Sequence, residues 1–177
     1  MGPLAGLKIV EFAGNNAMRK MMIQWARKHH KPITAPPEVN GHKARSVLAV
    51  NTSDGPLVLW VAPTATARQC WFIAFADDLV GRRRALGGGS CDGPHGDTKI
   101  VWGDEWSELH PTLKTISGRL YVAGATSVTV ITPTATFHLP VVHRFFIAAV
   151  PKETKTPTKL IAQDPNGRWL ATWTRPR

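Results

Sequence analysis

From residue 46 onward the chain alternates short runs of β-branched and aromatic residues with Gly, Pro, Asp and Asn. These runs predict strands at 46–51, 56–63, 69–75, 99–102, 115–123, 126–131, 134–139, 144–150, 158–163 and 168–174. Many follow one another within about a dozen residues, and no helical pattern interrupts them, which is the sequence mark of an antiparallel sandwich or barrel. Thr126 to Leu139 reads as a hairpin: Val128 and Val130 alternate with Thr129, Thr132-Pro133 turns, and Phe137 and Leu139 alternate with Thr136 and His138. Asp164-Pro165-Asn166-Gly167 reads as a second turn, joining Lys159-Leu160-Ile161-Ala162 to Arg168-Trp169-Leu170-Ala171. Asn-Gly supplies the positive φ that a tight hairpin needs. The expected fold is mainly β, with a short basic strand-helix segment in front of it.

That N-terminal segment has a different texture. Leu7 to Phe12 reads as a short strand, and Asn15 or Asn16 as the cap of a helix running to Lys28. Met18, Met21, Met22, Trp25 and Ala26 recur at helical spacing with Arg and Lys elsewhere. Such a stripe packs on the following domain or, in a basic amphipathic helix, lies on a membrane surface or acidic partner. Ile33 to Gly41 is rich in turn formers, and Pro36-Pro37 forces extended backbone. The division this predicts is a basic helical segment and Pro-rich linker over 1–43 and a β-sandwich over 44–177.

Charge sharpens the division. The chain of 177 residues carries a net +10, and residues 1–43 hold seven basic and only two acidic side chains. With 43% hydrophobic residues it can build a core, so wholesale disorder is excluded. No run of about 18 apolar residues suggests a membrane span. The first 30 residues lack the apolar region of an ordinary secretory signal.

Two family resemblances follow from particular residues. Gly55-Pro56-Leu57-Val58-Leu59-Trp60, Cys70-Trp71-Phe72, Gly87-Gly88-Gly89-Ser90-Cys91, Gly118-Arg119, Pro140-Val141-Val142 with Phe145-Phe146, Val150-Pro151 and Ala162 to Arg168 occur in an order that carries the first. Residues 56–177 resemble an immunoglobulin-like β-sandwich domain common in uncharacterised actinobacterial membrane-associated proteins, some similar to those encoded beside sigma and anti-sigma factors. That resemblance implies an extracytoplasmic or cell-surface domain, usually placed after a membrane helix. Separately, Met1 to Gly14 is similar to the opening of class III CoA-transferases and α-methylacyl-CoA racemases. The similarity ends at residue 14, and the parts that would hold that family's catalytic Asp, His and Glu have no match here. It reads as chance or as a foreign start.

Candidate chemistry is sparse. Cys70 and Cys91 are the two cysteines, one in an apparent strand and one after a Gly-rich loop. An isolated pair in an all-β setting reads as a disulfide, and hence as an oxidising compartment. Cys91, His95 and Asp97 are ligand-type residues but match no zinc spacing, so no metal site is expected. Gly87-Gly88-Gly89-Ser90 lacks the Lys and helix of a phosphate-binding loop, and Ser90 lacks a nucleophile elbow. Asp104, Glu105 and Glu108 beside Trp102 and Trp106 read as a solvated acidic turn. Arg82, Arg83 and Arg84, with Arg19, Lys20, Arg27 and Lys28, are the candidate anion-binding residues.

The sequence therefore predicts a non-enzymatic binding or sensory domain at the bacterial cell surface, with no cofactor and a protein or cell-surface ligand as partner. A membrane surface is a further candidate partner through residues 15–29. The alternative is a basic nucleic-acid- or phosphate-binding protein; a third reading, an acyl-CoA enzyme fragment, rests on residues 1–14.

Overall fold

The computed structural model describes residues 10–32, 38–66, 68–76, 89–91 and 97–176. Within them the chain is mainly β and antiparallel, preceded by one helix, α1 (Val10–Lys28), and a single 3-10 turn at Gly41–Lys43. The strands are β1 (Arg45–Thr52), β2 (Gly55–Pro63), β3 (Gln69–Phe75), β4 (Gly89–Ser90), β5 (Ile100–Ser107), β6 (His110–Leu120), β7 (Ser127–Ile131), β8 (Thr136–Pro140), β9 (Phe145–Pro151), β10 (Lys159–Gln163) and β11 (Trp169–Thr174). They form three sheets, ordered β1-β2-β3-β4, β5-β6-β9 and β11-β10-β7-β8.

The period-2 alternation of single strands explains how the sheets layer. In β9, Phe146, Ala148 and Val150 join Ile116 and Leu120 of β6, Val128 and Val130 of β7 and Leu160 and Ala162 of β10 in one core. The intervening Phe145 and Ile147 join Leu57, Leu59, Val61, Trp71, Ile73 and Phe75 of β2 and β3 in another. The three-stranded sheet is thus covered on both faces: by the four-stranded C-terminal sheet, which completes a seven-stranded sandwich, and by the N-terminal sheet. The far face of β2 and β3 (Val58, Trp60, Ala62, Cys70, Phe72 and Ala74) is itself buried, in a third cluster with Val39 and Ala76. Strands buried on both faces read as continuous apolar runs, as Leu57 to Ala62 and Phe145 to Val150 do.

Polar contacts fasten the layers. Asp104 on β5 accepts hydrogen bonds from Lys114 Nζ of β6 at 2.9 Å and Thr156 Oγ1 at 3.0 Å. His110 stacks on Phe75, with ring centroids 3.6 Å apart, and its Nδ1 lies 3.1 Å from Asp54 in the β1–β2 turn. Arg119 donates to the Gln69 side chain across 3.3 Å and lies over the Phe145 ring.

Several expectations need correction. Val10 to Phe12 form the first turn of α1 rather than a strand, and Asn15 and Asn16 lie inside the helix rather than capping it. Gly14 inside the helix costs about 1 kcal/mol relative to alanine; Leu7 to Ile9 lie outside the described residues. Asp104 and Glu105 belong to β5, not to an acidic turn, because Lys114 and Thr156 satisfy the Asp104 carboxylate within the sheet. Residues 38–40 are stitched to the end of β2: Val39 bridges Thr64, Asn40 N donates to Pro63 O and Ala65 N to Glu38 O. Buried Val39, 3% exposed, therefore belongs to the β core.

Both expected turns form. Thr132 closes the β7–β8 hairpin by accepting the amide of Ala135 on Oγ1 and donating that hydroxyl to the Ala135 carbonyl. At Asp164-Pro165-Asn166-Gly167 the Gly167 amide donates to Asp164 O, and the Asp164 carboxylate accepts the amides of Asn166 and Arg168. Gly167 alone takes positive φ, +79°, so the connection is a three-residue loop closing with a left-handed glycine rather than a two-residue turn.

Candidate binding face

The four-stranded sheet hides Val128, Val130, Leu160 and Ala162 and turns the alternate side chains of the same strands outward. Positions on the side away from the sandwich core fall opposite one another: Thr129 faces His138 on β8 and Ile161 on β10, and Ile161 faces Thr172 on β11; Thr129 and Ile161 are themselves buried, and His138 and Thr172 are exposed. The β10–β11 hairpin adds Lys159 and Gln163 from one arm and Trp169 from the other.

Hydrogen bonding fixes the polar part of this face. Thr129 Oγ1 donates to Gln163 Oε1 at 2.6 Å, so its lone pairs are what His138 Nδ1, 3.0 Å away, can address. Nδ1 therefore carries the proton in the neutral ring, and Nε2 is left as the acceptor of an exposed histidine. Gln163 Nε2 donates onward to Gly167 O at 3.3 Å, tying the network to the β10–β11 turn. Beside it, Trp169 is 59% exposed, and Lys159 Nζ lies 4.7 Å from its ring centroid. A cation held over one indole face restrains the ring while its edge and other face stay open. The result is an aromatic and polar surface with its donors and acceptors already oriented.

Other aromatics divide by the same logic. Trp60 and Trp71 are core, and Trp102 and Trp173 pack edge to face between the two sheets of the sandwich at 4.7 Å. Trp106 lies under Lys152 Nζ at 4.0 Å. Next to it, the Glu105 carboxyl is pushed above its usual value, first by desolvation and then by the charge of Asp104. The residue as a whole is exposed, so water screens much of that effect.

The sequence-predicted sites are dispersed. Cys70 and Cys91 are disulfide-bonded, with Cα atoms 4.0 Å apart. The register explains the bond: Trp71 pairs with Ser90 and Phe72 with Gly89, which sets Cys70 opposite Cys91. Arg82, Arg83, Arg84 and His95 lie outside the described residues. Arg19 is half-buried and 3.9 Å from Glu38, while Lys20, Arg27 and Lys28 are exposed on α1. The stripe divides: Ala26 is buried, whereas Met21, Met22 and Trp25 are 66%, 40% and 58% exposed, and the Met18 side chain lies outside those described. The inward side of the helix runs through Arg19, Ile23 and Ala26 instead, spaced four and three residues apart.

Sequence reasoning missed Lys159, Gln163 and Trp169 as a group. The available signal was alternation: once Leu160 and Ala162 are assigned inward, their neighbours in the hairpin must share the opposite face. Among the described residues no cluster of three His, Cys, Asp or Glu side chains could hold a metal ion, and no helix is long and apolar enough to cross a membrane. No protein-family model matches the chain, and no curated protein or solved structure matches it.

Proposed function

We propose that this chain is a non-enzymatic binding or sensory module at the bacterial cell surface, built on an immunoglobulin-like sandwich. The observation that carries the reading is the outer face of the four-stranded sheet, where exposed Trp169 stands beside the oriented Thr129–His138–Gln163 network. Rigid aromatics next to satisfied polar groups bind at low entropic cost, which is how interface anchors work. The strand order supports the immunoglobulin-like part. Such a sandwich sets its first, second and fifth strands in one sheet and its third, sixth and seventh in the other. Here β5, β6 and β9 form one sheet and β7, β10 and β11 the other, while the fourth strand, β8, lies beside the third, β7, rather than beside the fifth as in the seven-stranded constant type. The Cys70–Cys91 bond supports a location outside the reducing cytoplasm.

The test is retention on envelopes prepared from the cells that encode the protein. Wild type is retained and Trp169→Ala is lost to the wash, while both give the same thermal unfolding midpoint. Equal retention of the two proteins removes the sheet face from the account.

A second reading concerns α1. Exposed Met21, Met22 and Trp25 lie alongside exposed Lys20, Arg27 and Lys28. Apolar and basic stripes side by side suit an anionic membrane surface better than nucleic acid, which would leave the methionines unused. Co-sedimentation with phosphatidylglycerol vesicles, reduced by Trp25→Ala and by salt, tests it; binding to duplex DNA with equal affinity favours the nucleic-acid reading.

A further inference from the structure

A sheet ends in strands whose outer hydrogen-bonding groups have no neighbour, and proteins commonly blunt such edges with charge, proline, bulges or brevity. The described edge strands obey this rule unevenly. β8 has five residues and ends in Pro140, and β1 opens with Arg45 and has a bulge between Ser46 and Leu48. β5 carries Asp104 and Glu105, β4 has two residues, and β9, also uncharged, ends in Pro151 and lies against β1. β11 reads Trp169-Leu170-Ala171-Thr172-Trp173-Thr174, with no charge and no proline, and its irregularity is confined to the end nearest the turn.

The register tells which groups of β11 are open. The Arg175 amide donates to Thr158 O, and Leu160 pairs with Trp173. In an antiparallel ladder successive residues point their N–H and C=O alternately to either side. Ala171, Trp173 and Arg175 therefore bond inward to β10, and Leu170, Thr172 and Thr174 present theirs to the side on which no described strand pairs. On that side lies a groove of about 540 Å³, walled by Leu170 to Thr174 and by Asp97 to Ile100. Its floor reaches Ala171 and Trp173, which are partly buried and pack against the sandwich core.

We propose that this groove is a strand-addition site for an extended segment of a partner protein, apolar or β-branched at its inward positions and acidic at both ends. The inference rests on reading the chain as a binding module and names how it would bind. An added strand would satisfy the outward groups of Leu170, Thr172 and Thr174 and lay alternate side chains toward Ala171 and Trp173. Charge selects the occupant. Arg168, its side chain 79% exposed and its Nε 4.0 Å from the Asp164 carboxylate, and Arg175 stand at the two ends of β11 and Lys99 on the opposite wall, with Asp97 the acidic residue in the groove lining itself. A second copy of this chain is a poor fit. Twofold antiparallel pairing centred on Thr172 would bring Arg168 of each copy near Arg175 of the other, between two chains of net charge +10.

The test titrates isotope-labelled full-length protein with a synthetic peptide of alternating Val and Thr bearing two Glu at each end. The expected result is that the amides of Leu170, Thr172 and Thr174 shift and that their hydrogen exchange slows by about tenfold or more. The same peptide with Lys at its ends binds about tenfold more weakly or worse. Thr172→Pro removes one outward N–H at a position where an edge strand tolerates proline, and abolishes the slowed exchange at Leu170 and Thr174. If that variant does not fold, the exchange measured on the wild-type chain decides alone. Absence of any shift at millimolar peptide overturns the proposal, as do shifts confined to Trp169, His138 and Lys159, or edge amides protected by dimerisation without peptide. None of these three results changes retention on envelopes, so the broader binding reading is judged separately.

Discussion

Reducing the Cys70–Cys91 bond opens a ring that spans 21 positions of sequence. In the chain-entropy model a loop of that size restricts the unfolded chain enough to stabilise the fold by about 3 kcal/mol. Small domains have only about 5–15 kcal/mol in hand, so the loss is a substantial fraction of the whole. With a urea slope of about 2 kcal/mol/M, the unfolding midpoint should fall by roughly 1–2 M. The measurement compares urea unfolding of oxidised protein, of protein held in dithiothreitol and of the Cys70→Ala/Cys91→Ala variant. Because Cys70 is buried beside Phe72 and Trp60, the variant should fall slightly below the reduced wild type through lost packing. The reasoning fails if reduction leaves the midpoint where it was. It also fails if only the variant shifts, since the effect would then belong to packing and not to ring closure.

Other expectations concern the layered core and its edges. A Cβ at Gly118 would lie 2.5 Å from Val101 O and overlap the fully buried Phe146 ring, so Gly118→Ala should cost about 1–3 kcal/mol or more in thermal or urea unfolding; an unchanged midpoint would contradict the close strand packing. Glu105, whose carboxyl is raised by desolvation and by Asp104, favours its protonated form when folded. Its contribution is therefore fully present below the usual glutamate pKa of 4.5 and is lost as pH rises through the higher folded value, so Glu105→Gln should raise the midpoint slightly at pH 7 and leave it unchanged at pH 3.5. Deleting residues 1–37 should leave a cooperatively folding chain, whereas deleting 1–40 also removes Val39 and the strap to Pro63 and should lower the calorimetric midpoint by several degrees.

The sequence is most readable where turn residues bound a strand: the strands and turns of the hairpins 126–140 and 158–174 fall within a residue or two of expectation, although Thr129 and Ile161, on the side of β7 and β10 away from the sandwich core, are buried. β5 continues to Ser107 and β6 starts at His110, beyond the expected 99–102 and 115–123, through residues Gly103, Asp104, Glu105 and Pro111 that have the composition of a turn. Cross-strand partners such as Lys114 for Asp104 cannot be read from local propensity. The three-sheet layering was latent in the unbroken apolar runs of β2, β3 and β9, which signal burial on both faces but do not say against what. The helix was legible as a helix, yet its exposed face was not, since a stripe of Met and Trp has the same pattern whether it meets a core or water. The candidate binding face is the least visible, because Lys159 and Trp169 meet only after the hairpin folds back on itself.

The claim that the protein works outside the reducing cytoplasm is open to a direct measurement in the cells that encode it. Fractionation followed by alkylation under denaturing, non-reducing conditions should find the chain in the envelope or culture fluid with neither Cys70 nor Cys91 labelled. Recovery from the cytosol with both thiols alkylated would contradict the account.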